Sequence, residues 1–291
     1  MSQEIGPGFS IIESVLHPTD FSEASLVAFN HALRAAMLAK SKLTLLHVSS
    51  SEHNLWSDFP GVRETLERWG ALPQGSPRSA VGALGIEARK VVASEGEPVD
   101  AVIRYLDKHP ADLIVLATSQ KQGHVRWLGK SVAEPVTRKA GQMTLLIPPD
   151  AEGFVSASDG SVNLSKVLIP IAETPRPQAA LNTAALLVER MNCPQGTFVL
   201  MHVGTTNTMP ACRCPEVPGW TWEKELRSGD VIESIVNAAR DHKAGLIVMT
   251  TDGRNGFLDG LRGSHSERVL RHGAAPLLTV PVGSRASRFL G

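Results

Sequence analysis

The sequence predicts an α/β protein: two tandem, doubly wound open α/β sandwiches, each with a mostly parallel five-stranded sheet. Three observations predict it. First, the 291-residue chain repeats itself. Val15-Leu16-His17-Pro18 returns as Val167-Leu168-Ile169-Pro170, an offset of 152. Leu45-Leu46-His47-Val48 returns as Leu200-Met201-His202-Val203, an offset of 155. Ala111-Asp112-Leu113-Ile114-Val115 returns as Ala244-Gly245-Leu246-Ile247-Val248, an offset of 133, so the first copy holds about 22 extra residues in its middle. Second, unbroken apolar runs of strand length alternate with segments of helical periodicity, the pattern of a parallel sheet covered on both faces. Third, right-handed crossovers between such strands leave an open doubly wound sheet as the simplest topology.

In the first copy, residues 11–17 read as a buried strand that Pro18 stops. Thr19-Asp20-Phe21-Ser22 is a turn able to cap a helix, in which Leu26, Phe29, Leu33, Ala36 and Met37 recur at helical spacing. Residues 43–48 form a second strand, 58–70 a helix and 84–93 a third strand. A helix over 98–107 carries Val99, Val102, Ile103 and Leu106 on one face. Strand 112–117, helix 131–140 and strand 143–147 complete the copy. The second copy reads as strand 166–170, helix 176–191, strand 197–203, a weaker strand 221–226, helix 230–242, strand 245–250, helix 264–272 and strand 276–280. Between its second and third strands, a Pro-rich loop over 209–219 replaces the helix. Residues 150–165, rich in Ser, Gly and Asp, read as an exposed connection. The expected domains are therefore 1–149 and 166–283, with a tail over 284–291.

The composition is that of a globular protein, with 42% hydrophobic and 20% charged residues. Lys+Arg equals Asp+Glu at 29 each, so no net field favours nucleic acid or an anionic membrane, and neither is expected as a partner. No apolar run approaches the roughly 20 residues of a spanning helix. The N-terminus lacks the basic and apolar regions of a secretory signal. Three cysteines, Cys193, Cys212 and Cys214, are too few for a disulfide framework. A cytoplasmic location is the expectation.

Ligands of open α/β sheets bind outside the carboxyl ends of the strands, at the topological switch point. The chemistry-bearing motif lies there. After the fourth strand of the second copy comes Thr250-Thr-Asp-Gly253-Arg-Asn-Gly256-Phe-Leu-Asp-Gly260-Leu-Arg-Gly263-Ser264, and then a helix. A glycine-rich loop between a strand and a helix N-terminus can cradle phosphates on backbone N–H groups. The similar stretch Gly123-His-Val-Arg-Trp-Leu-Gly129-Lys130-Ser131 is not a P-loop, because five residues separate its glycines where four are needed.

Pro18-Thr19-Asp20-Phe21-Ser22, Leu45-Leu46-His47-Val48, Asp112-Leu113-Ile114-Val115 and Gly263-Ser-x-Ser-Glu-Arg-Val-Leu-Arg-His272 together resemble the universal stress protein family in its tandem two-domain form. The resemblance covers nearly all of both copies, and implies an adenine nucleotide alpha hydrolase-like fold. The family's nucleotide-binding members carry G-x2-G-x9-G-[ST] in the loop. The second copy matches at Gly253, Gly263 and Ser264 but has Thr250 first. The first copy, at Ala117, Gln120, Lys130 and Ser131, keeps only the hydroxyl. The family's aspartate after strand one is Asp20 in the first copy and Ala172 in the second, with Glu173 beside it. The resemblance thus implies ATP or another adenine nucleotide in the second copy, with magnesium as an optional companion. The base would lie near Pro170, Ala172 and Val203, and the phosphates on Thr250, Gly253, Gly263, Ser264 and His265. A weaker first-copy site would use Thr19, Asp20, Val48 and Ser131. The implied role is a stress regulator or switch, not an enzyme. No catalytic arrangement is visible, although slow ATP hydrolysis stays open.

Two other readings remain. One is an interaction scaffold with vestigial pockets, in which strands 143–147 and 277–280 pair within the chain as a built-in pseudo-dimer. A homodimer of two chains would extend it. The other is a thiol or zinc sensor using Cys212 and Cys214, against a mobile loop with incidental thiols. His47 and His202, inside apolar strands, read as core histidines. Asp20 reads equally as a helix cap.

Overall fold

The structure, a computed structural model, describes residues 12–49, 57–93, 96–118, 133–149, 151–251 and 275–283. Its strands are β1 (Ser14–Pro18), β2 (Lys42–Val48), β3 (Glu87–Ala93), β4 (Leu113–Ala117) and β5 (Met143–Ile147), then β6 (Lys166–Pro170), β7 (Gly196–Val203), β8 (Trp220–Arg227), β9 (Leu246–Thr251) and β10 (Leu277–Pro281). The helices are α1 (Glu23–Ala39), α2 (Val62–Arg68), α3 (Ala80–Ala83), α4 (Pro98–Lys108), α5 (Ala133–Ala140), α6 (Gln178–Arg190) and α7 (Val231–Asp241).

The strands form one ten-stranded sheet in the order β3-β2-β1-β4-β5-β10-β9-β6-β7-β8. Among these ten strands, pairing is parallel within each half and antiparallel at the β5–β10 seam. The two halves therefore carry the same topology, related across the seam. The most apolar strands sit in the middle: β5 and β10 are buried at every residue. The charged strands β3 and β8 take the edges, where side chains such as Glu87, Arg89 and Glu223 discourage further pairing.

Alternation along each strand divides the core into two layers. Val15, Leu45, Val115, Ile169 and Leu200 face α1 and α6, and Leu16, Leu46, Ile114, Leu168 and Met201 face α4 and α7. Each layer runs through both halves. Ser22 caps α1 by accepting the Ser25 N–H at 3.2 Å, and Asp230 caps α7 by accepting from Ile232 and Glu233, each at 2.9 Å.

Two expectations need correction. The helix expected over 58–70 is the shorter α2, and a second short helix, α3, follows it. More importantly, 150–165 is not simply an exposed connection. Phe154, Val155 and Leu164 are buried in the α1 layer, and Val155 and Val162 form an antiparallel bridge. The polar composition that suggested exposure was outweighed by these few apolar residues. The expected helix 264–272 lies outside the described residues, as does the tail.

Candidate functional site

In the second half, β6 lies between β7 and β9, so the chain reverses its winding direction at β6. A shallow cleft, open to solvent, lies beyond the carboxyl ends of these three strands. Pro170, Ile171 and Ala172 follow β6 into it, Met201, His202 and Val203 come from β7, and Met249 and Thr250 come from β9. Val231 and Ile235 of α7 and Pro175 and Pro177 before α6 close its sides. The walls are mostly apolar, which suits the face of a flat ring.

Four of the expected residues thus meet at one cleft: Pro170, Ala172, Val203 and Thr250. Gly253, Gly263, Ser264 and His265 lie outside the described residues. Thr250 replaces the first glycine of the loop pattern. Its buried hydroxyl accepts from the Ala180 N–H at 3.3 Å, tying the end of β9 to the first turn of α6. His202 is a buried core histidine and also a wall residue. Its Nδ1–H donates to the Ile171 carbonyl at 3.0 Å, and its Nε2 lies 2.9 Å from the Thr208 hydroxyl. Sequence reasoning missed Val231 and Ile235. Their signal was available, since the i, i+4 apolar pair opens an amphipathic helix directly after its Asp230 cap.

The first half repeats the frame and closes it. The Thr19 N–H donates to Leu46 O at 2.8 Å, as Ile171 does to Met201 O at 2.8 Å. His47 Nδ1–H donates to Thr19 O at 2.7 Å, mirroring His202. Phe21, however, stacks on His47 with ring centroids 4.1 Å apart and meets Phe59 edge-on at 5.1 Å. Val48 is buried where Val203 is half-exposed. Phe59 comes from the first copy's extra residues, so that insertion supplies part of the cover. Asp20 is occupied by its own turn: one carboxylate oxygen accepts from the Ser22 N–H and from the Ser22 and Ser25 hydroxyls. The helix cap proper is Ser22. Ser131 lies outside the described residues.

Two buried histidines were not anticipated. His17 donates from Nδ1 to Val115 O at 2.9 Å, and its Nε2 has no partner among the described residues. Burial pushes its pKa down to about 4. His31 on α1 is lowered to about 4 for the same reason. The 209–219 loop also differs from the mobile one expected. Gln178 clamps Arg213 through both backbone groups, and the Trp222 indole donates to Pro215 O at 2.8 Å. Among the described residues, no three His, Cys, Asp or Glu side chains are grouped to hold a metal.

The family model of the universal stress protein family matches residues 12–148 and 216–281. The chain belongs to the universal stress protein family. A curated relative, Universal stress protein MJ0531 of Methanocaldococcus jannaschii, is 26% identical over 144 residues, 48% of this chain and 84% of the relative. A universal stress protein structure from Archaeoglobus fulgidus superposes with a TM-score of 0.56 at 18% identity, covering 93% of this chain and 99% of that one. The cytoplasmic domain of a prokaryotic cation chloride cotransporter superposes equally well, with a TM-score of 0.56 at 13% identity over 96% of this chain and 100% of that one. These likenesses show the fold, and one fold serves many roles. In this universal stress protein the family match skips 149–215. That span holds β6, β7 and all three cysteines. No helix among the described residues is long and apolar enough to cross a membrane.

Proposed function

We propose that this universal stress protein binds an adenine nucleotide, ATP first among them, in the second-half cleft, and that occupancy switches a regulatory surface. Residues 1–149 and 166–283 act as the two domains and 150–165 as their connector. The observation that carries the reading is the convergence of Pro170, Ala172, Val203 and Thr250 on one cleft at the switch point. The base lies against the apolar wall of Pro170, Ala172 and Val203. Thr250 stands where β9 runs out into the glycine-rich segment, so phosphates directed that way reach Gly253, Gly263, Ser264 and His265. Magnesium, where present, arrives with the phosphates. In this reading the protein acts as a binding switch.

The first half supports the opposite state. Phe21 and Phe59 over His47, and an Asp20 engaged by Ser22 and Ser25, favour a closed, structural pocket. Thermal melting with ATP, ADP and AMP, with and without magnesium, tests both statements. Ligand at one hundred times its dissociation constant adds about 2.7 kcal/mol. The shift should persist in Asp20→Asn and vanish in Gly263→Asp, which adds bulk and negative charge where phosphate must approach. No shift at millimolar nucleotide would overturn the reading and leave the scaffold.

A further inference from the structure

Between β7 and β8 the chain runs from residue 211 to residue 217 without a turn or bend. Its side chains alternate there. Ala211, Arg213 and Glu216 are exposed, whereas Cys212 and Cys214 are half-buried and both pack against the α1–α6 core layer. The backbone between the thiols is fixed. Arg213 N–H donates to Gln178 Oε1 at 3.0 Å, and Gln178 Nε2 donates back to Arg213 O at 2.7 Å. One residue further, Trp222 holds Pro215 while stacking on Phe198 at 4.2 Å, and Val217 is buried. The two thiols therefore share one side of a pinned, nearly straight segment. Lys224 on β8 is the cation whose charge acts on both.

We propose that Cys212 and Cys214 form a two-thiolate site for a soft monovalent metal ion of the copper(I) and silver(I) class. Thiolate sulfur selects soft cations over hard ones. Geometry favours a bridging ion over a disulfide. Two residues of extended chain put the Cα atoms about 6.6 Å apart, near the upper end of the roughly 4.4–6.8 Å that a disulfide spans. Closing the direct bond would pull on a backbone that Gln178 holds. Charge selects the valence. Two thiolates around a monovalent ion leave one negative charge, which Lys224 offsets, whereas a divalent ion would leave Lys224 beside a neutral complex. A closed zinc site needs four ligands, and no group of three candidates exists among the described residues. The thiolate and not the thiol is the ligand, so the ion displaces protons and its affinity climbs with pH.

The test is an anaerobic titration of the reduced full-length protein with copper(I) against bicinchoninate, read also by the ultraviolet copper–thiolate absorption. One ion per chain is expected. Cys212→Ser and Cys214→Ser should each drop binding to the level of the double variant, while Cys193→Ser, a buried thiol whose charged neighbour is Arg34, should bind as the parent does. Lys224→Ala should weaken binding by about tenfold, as loss of an outer partner does. Thermal melts of the serine variants should fall only slightly below the parent, since both side chains are partly buried and serine is close to cysteine in size. Binding no tighter in the parent than in the double variant, or unchanged binding in either single variant, would overturn the site.

Discussion

His31 is 1% exposed on α1, and its two ring nitrogens have opposite tasks. Nδ1–H donates to Val27 O at 2.8 Å, while bare Nε2 accepts from the Phe154 and Val155 N–H groups at 3.0 and 3.3 Å. Only the neutral ring does both, so the connector is latched to α1 by an unprotonated histidine. His17 is likewise buried and neutral. Both pKa values fall from 6.5 to about 4 on folding, so the unfolded chain binds these protons more readily. Their contribution is complete above pH 6.5 and is lost as pH falls towards 4. By linkage each histidine costs about 2 kcal/mol of stability by pH 5. Urea denaturation at pH 7.5 and pH 5 should show the fall, and His31→Gln should flatten part of the slope. An equal slope in the variant would remove His31 from the account. Gly153 guards the same contact: its φ is +73°, and a Cβ there would land on the His31 ring. Gly70 has a similar φ of +71° but open space around it. Gly153→Ala should therefore destabilise by clearly more than the about 1 kcal/mol of backbone strain expected of Gly70→Ala. Comparable losses would mean that the latch is loose.

Among the elements, α7 ties stability to the cleft. Asp230 caps it through two N–H groups, and the next turn delivers Val231 and Ile235 to the wall. Asp230→Ala should cost about 1 kcal/mol, and it should weaken nucleotide binding by fraying that wall. A full stability loss with an unchanged ligand shift would detach α7 from the site. Elements of this kind were legible because one force dominated them. The buried apolar runs of β4, β5, β9 and β10, and the periodic face of α4, admit one reading each. The loop at 209–219 and the connector were not legible, since much of what orders them is long-range: Gln178 to Arg213 and His31 to Phe154. No local pattern encodes such partners. The cleft was legible in part for the same reason. Pro170, Ala172, Val203 and Thr250 stand at strand ends that repeats and apolar runs mark, whereas the closure of the first pocket depends on Phe59, brought in by an insertion.

For the whole molecule the decisive contact is the seam between β5 and β10. Leu145 pairs with Leu278 on the α1 side, Leu146 with Leu277 on the other, and Thr144 with Thr279. Each core layer thus crosses from one half to the other through a leucine pair, and one apolar cluster includes residues of α1, α2 and α6 together. The buried Thr279 hydroxyl donates to Thr144 O at 3.3 Å, so the seam carries no unpaired polar group at this position. A duplicated sequence suggests two independent folding units, but continuous layers predict one cooperative unit. Calorimetry should give a single transition whose van't Hoff and calorimetric enthalpies agree. Thr279→Asp would bury an unpaired carboxylate at the seam, at a cost of several kcal/mol. That variant should melt in two steps, with the first-half step nearer the parent temperature because its own sheet is intact. Two steps in the parent would mean that the seam merely docks two finished domains, and nucleotide in the second cleft could then stabilise only its own half. One step means that a ligand held by β6, β7 and β9 raises the stability of β1 to β5 as well, which is the coupling a switch in a fused pair requires.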